Sequence, residues 1–393
     1  TIYRPMPRDR DQAFSIMADG SLLNFATKII PDLRLMKSYD EELKSTKWFN
    51  LEPYPLDMAL ITRSDRHIWN MQVNHIIENL TDEVIDEAFT YFPYEVRDKT
   101  INEIKKKLKG RRSNLQNISN DYYRHINKFA VIKGTDKDDW FEIKRDKRTT
   151  TITAYRIKDG IKGEVLHNRT YSLMDTKEIW IYGLDDEDVF NVTGVGENLI
   201  KTRLVGGQNK DSYNIENGKK IKVYDYKSKA SNFETGRDQI KLTDDYETNV
   251  YDYKKLKYNA NQIIPSLGAN PDDGFRLGLV NTYTNYGFER NPFTSKHTLS
   301  AQYYFATNGF DLNYNGEFAN VIGKWNLNLE GYFTSPNYSV NFFGYGNESV
   351  NPNISDEDNY NMDYNRVKLS TLKFSPSLKW IGDAGANIKI GLI

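Results

Sequence analysis

The 393-residue chain has no cysteine, which removes disulfides and thiolate metal sites. It has no apolar run of the roughly 18 residues that a transmembrane helix needs. A mean hydropathy of -0.70 excludes a helical membrane protein. It does not exclude a protein that crosses with strands, which are only half apolar. Excess charge is also missing: 53 Lys+Arg stand against 54 Asp+Glu, a net of -1, so no nucleic-acid partner is expected. The five histidines include His67 and His75 on one expected helix, too far apart for the i, i+4 zinc pair of a metalloprotease. Nucleophile elbow, P-loop and dinucleotide fingerprint are all absent. No complete catalytic constellation is present, which leaves enzymatic activity open. The chain starts at Thr1 without a signal-like stretch and ends on "ANIKIGLI", the pattern of a strand interior. Both ends lead to the expectation of a piece of a longer protein.

What is abundant is aromatic: 27 Tyr, 19 Phe and 6 Trp. Three segments follow from the change of period along the chain. Residues 1–130 read as a mostly helical domain, with Ile68, Met71, Ile76 and Leu80 near helical spacing and Thr81 placed as an N-cap. "KKKLKGRR" within it reads as a solvated basic face, with a phosphate- or lipid-facing patch as the alternative. Residues 131–260 read as a β-rich spacer of short runs broken by Gly, Asn and Asp, solenoid-like in its corners. "GLDDEDVF" and "GGQNKDSY" each place an Asp, Asp188 and Asp211, two residues before an aromatic. The second nearly fits a calcium-binding nonapeptide. A divalent metal is the cofactor such turns would take, although two isolated turns supply few of the six or more oxygens a hard ion needs.

Residues 261–393 alternate strictly. In "GFDLNYNGEF" Phe310, Leu312, Tyr314 and Phe318 point one way, and Asp311, Asn313, Asn315 and Glu317 the other. "WNLNLEGYF" sets Trp325, Leu327 and Leu329 against Asn326, Asn328 and Glu330. A soluble sandwich alternates too, but these runs approach the roughly 9–11 residues that span a bilayer as tilted strands. Aromatics also recur near the run ends, where a girdle sits. Phe310, Leu312, Tyr314, Phe318, Trp325, Leu327 and Leu329 are therefore the expected lipid-facing residues. Counting a strand at 338–343 sends "NPDDG" and the acidic loop "GNESVNPNISDEDNYNMDYN" to opposite ends of such a sheet.

The stretch from "IIPSLGANPDDGFRLGLV" to "NGEFAN" resembles the start of the barrel in the BamA-like surface-antigen family of outer-membrane proteins. Pro265, Asp272-Asp273-Gly274, Gly278 and the Gly-Phe…Asn-Pro-Phe series of 287–293 carry the likeness, with "NFFGYGNES" beside them. The resemblance implies an outer-membrane location with a periplasmic or surface-exposed N-terminal region. Outer-membrane lipid, other outer-membrane proteins and assembly-machine subunits are the implied partners, and the implied work is assembly or export of outer-membrane proteins. In that family the first strand, here residues 262–268, can part from the last and template an incoming strand. The architecture is often joined to a calcineurin-like metallophosphoesterase domain, whose motifs are not in this chain. "PRDRDQAF" is similar to a stretch of spore-coat CotH-like atypical kinases, which implies Asp9 and Asp11 as metal ligands. The alternative function is thus a membrane-anchored phosphoesterase or kinase-like enzyme whose catalytic motifs lie outside this chain. The expected fold class is multi-domain α+β: helical region, β-rich spacer, then part of an antiparallel transmembrane β-barrel.

Overall fold

Between Phe129 and Leu242, short apolar runs are cut by Gly, Asn and Asp, and each run becomes one strand. In the computed structural model these are β1 (Phe129–Lys133), β2 (Asp139–Arg145), β3 (Thr149–Lys158), β4 (Ile161–Ser172), β5 (Glu178–Leu184) and β6 (Val189–Thr193). They continue as β7 (Lys201–Gly207), β8 (Ser212–Ile215), β9 (Ile221–Asp225), β10 (Asn232–Glu234) and β11 (Ile240–Leu242). The structure describes residues 13–392 apart from 17–19, 44, 62, 197–198, 235–238, 271–273, 347–361 and 383–384. The chain divides into two compact units, Thr1–Met17 with Lys37–Leu256, and Ala18–Met36 with Lys257–Ile393.

In the first unit, successive strands alternate between two sheets. β1, β5, β7, β9 and β11 pair in parallel in one. β10, β8, β6 and β2 pair in parallel in the other, which β3 and β4 extend antiparallel. The inner faces make a single core in which Phe141, Ile143, Ile181, Phe190, Val192, Leu204 and Val223 are all fully buried. One ring per turn stacks on the next: Phe141 on Phe190 at 4.9 Å, Phe190 on Tyr213 at 5.0 Å, Tyr213 on Phe233 at 5.1 Å. Those separations follow the roughly 4.8 Å spacing of hydrogen-bonded strands, so backbone pairing sets the ring stack. Phe190→Ala opens a hole with rings on both sides and is expected to cost about 3–5 kcal/mol. Chemical denaturation of the full chain, followed by aromatic circular dichroism, reads it.

Helices of this unit include Arg66–Asn79, Asp82–Ala88, Lys99–Ser113 and Leu115–Ile126. Asp65 caps the first, accepting from the Ile68 N–H at 3.0 Å, and Thr81 caps the second, accepting from the Val84 N–H at 3.3 Å. The basic run lies on Lys99–Ser113 and is paired with acids: Lys105 and Lys109 reach Asp86 at 3.1 and 2.8 Å, and Arg112 reaches Asp82 at 3.4 Å. No described helix is long and apolar enough to cross a membrane, which does not bear on strands.

The second unit carries β12 (Ala260–Asn270), β13 (Gly274–Asn285), β14 (Ser295–Tyr304), β15 (Gly309–Ile322), β16 (Trp325–Thr334), β17 (Ser339–Asn341), β18 (Arg366–Lys368), β19 (Leu372–Ile381) and β20 (Asn387–Gly391). Seven of them form one antiparallel sheet in the order β12-β13-β14-β15-β16-β19-β20. β17 and β18 pair only with each other, as a separate ribbon. Residues 338–343 therefore add no strand to the sheet. The β12–β13 and β16–β19 connections leave from the same end, and counting residues 338–343 as a strand was the error that put "NPDDG" and the acidic loop at opposite ends.

The expected fold class is also corrected. The chain is α/β, with a parallel sheet and a mixed sheet plus the seven-stranded antiparallel one, and none closes into a barrel among the described residues. Closure needs the first and last strands to pair, whereas β12 pairs with β13 and β20 with β19. Helices are few, and Lys99–Ser113 buries no residue at all. The solenoid-like expectation implied strands stacked a turn of chain apart, but which residues pair, such as Trp180 with Arg203, could not be read from the sequence. No local period reports that.

Candidate lipid-facing surface

Residues opposite one another in antiparallel strands share a face, so the register sorts the seven-stranded sheet into rows. One row runs Pro265, Leu279, Ala301, Leu312, Phe333, Leu372. The next on the same face runs Asn281, Leu299, Tyr314, Gly331, Phe374, and another Phe318, Leu327, Leu378, Ile390. These side chains stand open: Leu279 is 47% exposed, Leu299 50%, Leu312 38%, Phe374 66% and Ile390 63%. A continuous apolar face across seven strands exceeds what a water-facing sheet carries.

The rim of that face is aromatic at both ends. Phe275, Tyr303, Phe305, Phe310 and Phe333 gather at one, with Tyr303–Phe305 at 5.1 Å and Phe310–Phe333 at 5.8 Å. Tyr283, His297 and Phe318 gather at the other, with His297–Phe318 at 5.2 Å, and Trp325 lies opposite Trp380 in register. Leu277, Leu279, Leu299, Ala301 and Leu312 fill the middle. Phe275 to Tyr283 spans roughly 26 Å along the strand at about 3.3 Å per residue, which at a tilt of about 40° covers roughly 20 Å of an apolar band about 25 Å tall. Polar atoms on this face are paired: His297 Nδ1 with the Tyr314 hydroxyl at 2.9 Å, and Asn281 Nδ2 donating to Asn261 Oδ1 at 2.8 Å.

The opposite face is polar, and many but not all of its groups bond to one another: Gln302 Oε1, Ser375 Oγ and Ser377 Oγ are buried without a partner. Its rows include Val280, Ser300, Asn313, Tyr332, Lys373, and Lys296, Glu317, Asn328, Ser377. Asn326 Nδ2 donates to Glu317 Oε1 at 2.9 Å, Tyr304 donates to Asp311 at 2.6 Å, and Lys389 pairs with Glu330 at 2.6 Å. Charge is compensated within the face.

Phe310, Leu312, Tyr314, Phe318, Trp325, Leu327 and Leu329 all fall on the apolar face; Phe310 and Leu312 are exposed, the others half-buried. The alternation in "RVKLSTLKF" and "NIKIGL" reads as continuing the same pattern into β19 and β20, but Phe374 and Ile390 were not among the residues named from it. Asp9 and Asp11 lie outside the described residues. Asp188 and Asp211 are brought together, but as successive rungs of the parallel stack. The Asp188 N–H donates to Asp211 Oδ1 at 2.9 Å, and the Asp139 N–H to Asp188 Oδ1 at 2.8 Å. Asp139 was missed; its Phe141 stands at the same two-residue offset, and Gly134, Gly183 and Gly206 precede the three acids at one spacing. No group of three or more His, Asp or Glu among the described residues is arranged to hold a metal. No protein-family model, no curated protein and no solved structure matches the chain.

Proposed function

We propose that this chain works in an outer membrane, with the apolar face of its seven-stranded sheet against lipid hydrocarbon. We assign it to the BamA-like surface-antigen type, acting in assembly or export of outer-membrane proteins. The observation that carries the membrane seat is the aliphatic band flanked by two aromatic rims, backed by a polar face. Amphipathic rings collect where hydrocarbon meets headgroups, and leucine fills the depth between. A water-facing sheet gains nothing from that layering. Hydrocarbon satisfies no backbone group, so in lipid the outer edges of β12 and β20, which pair with no further strand among the described residues, need backbone partners. The family role rests on the stretch around Pro265 and Asn291-Pro292-Phe293.

Fractionation with an alkaline carbonate wash tests the seat, and the absence of cysteine allows a sharper version. Leu299→Cys or Asn315→Cys gives one labelling site on either face. An environment-sensitive dye is expected to be blue-shifted and quenched by doxyl lipids at 299, and neither at 315. Loss to the soluble fraction on washing, or equal quenching at both positions, overturns the reading.

A further inference from the structure

The Asp row in the first unit has a chemistry that the membrane seat does not use. Asp188 and Asp211 are 1% and 0% exposed. One oxygen of each accepts a backbone N–H from the preceding turn, at 2.8 and 2.9 Å. The other oxygen, Oδ2, is buried in both without a hydrogen-bond partner. Each Oδ2 sits where a side chain would otherwise be: a Cβ on Gly183 would overlap both Asp188 Oδ2 and the carbonyl oxygen of Gly206, and one on Gly206 would overlap Asp211 Oδ2 and the Tyr213 hydroxyl. An ionised oxygen facing a carbonyl oxygen in a dry corner is repelled. A protonated one donates to it.

We propose that Asp188 and Asp211 are held as neutral acids, the Asp188 Oδ2–H donating to the Gly206 carbonyl of the next turn and the Asp211 Oδ2–H to the Tyr213 hydroxyl, which itself donates to Asp225 Oδ2, so that the stack is fastened by protons and loosens as they leave. The surrounding charges agree. Asp138 in the β1–β2 corner, Asp139 on β2 and Asp211 just before β8 face Asp188. Glu187, and Asp225 on β9, face Asp211, and the Tyr213 hydroxyl on β8 donates to Asp225 Oδ2 at 3.1 Å. A cation at this row, Arg156, has its Nε 3.4 Å from Asp139 Oδ1 at its far end. Asp139 also accepts from the Thr135 N–H at 2.6 Å, so it has partners that the two acids behind it lack. Burial first, then the neighbouring carboxylates, push Asp188 up to about 9; burial, and then Asp225 and Glu187, push Asp211 up to about 8.

Both acids hold their protons in the folded stack far above the roughly 3.9 at which an unfolded aspartate releases them. Their contribution is therefore complete below about pH 4 and is lost as pH rises towards 8 and 9. Amide hydrogen exchange across 183–190 and 206–213, in the full chain in detergent and corrected for intrinsic exchange, reads the opening of these turns. Opening is expected to rise about tenfold per pH unit for each acid between pH 5 and 8. Asp188→Asn and Asp211→Asn keep the acceptor and put an N–H2 in place of the O–H, so each is expected to remove one tenfold step and to open no more easily than the parent at pH 8. Opening independent of pH in the parent overturns the proposal, whatever the variants do. So does tighter closure on adding calcium at pH 8, which would make the pair ionised ligands, or easier opening of both Asn variants.

Discussion

Leu312→Arg is expected to release the chain from the membrane pellet on carbonate washing, while Asn313→Arg leaves it there. The two residues are neighbours on β15 with the same backbone pairing. Leu312 lies between Ala301 and Phe333, and Asn313 between Ser300 and Tyr332. They differ in face alone. Leu312 sits in the aliphatic band, where arginine in hydrocarbon costs about 2–4 kcal/mol, falling to about 0–1 at the headgroups. Phe310→Arg, on the aromatic rim, is accordingly expected to weaken retention less. In water the ordering vanishes: Leu312 is already 38% exposed, and arginine there would be nearly neutral. Equal behaviour of Leu312→Arg and Asn313→Arg thus removes the lipid assignment.

The faces of this sheet were legible because a strand writes its two environments into alternate residues, and Phe310 and Asn313 declare theirs locally. Thr81 was legible for a similar reason, since a cap bonds within three residues. What failed to show was anything set by partners distant in sequence. Trp180 pairs with Arg203 because turns stack, and neither run of letters carries that choice of parallel over antiparallel. The wall-like "YSVNFF" became a ribbon with β18, its length and pattern being shared by both outcomes. Asp188 and Asp211 were visible as a pair of positions. Their use as acceptors for backbone N–H groups depends on burial, which spacing does not encode. The β3–β4 hairpin hid Asp139, 49 residues from Asp188 instead of the 23 that separate the next pair.

The glycines facing that row give the second large effect. Gly183→Ala is expected to destabilise the first unit by more than about 3 kcal/mol, the range of overpacking with no room to relax. The added methyl meets Asp188 Oδ2 on one side and the Gly206 carbonyl on the other, and neither yields cheaply. Asp188 is held by the Asp139 N–H, and Gly206 by the parallel pairing of β5 with β7. Gly160→Ala provides the contrast. It sits at φ +76 with nothing within 4 Å of the new methyl, so its cost is the backbone term alone, about 1–2 kcal/mol. Denaturant midpoints of the two variants separate crowding from backbone strain. The double variant Gly183→Ala with Asp188→Ala then apportions the crowding. It removes the carboxyl that the methyl strikes and leaves the Gly206 carbonyl, so a partial recovery over Gly183→Ala assigns the difference to the acid. No recovery would place the whole penalty on the backbone and make the carboxyl a bystander in that corner.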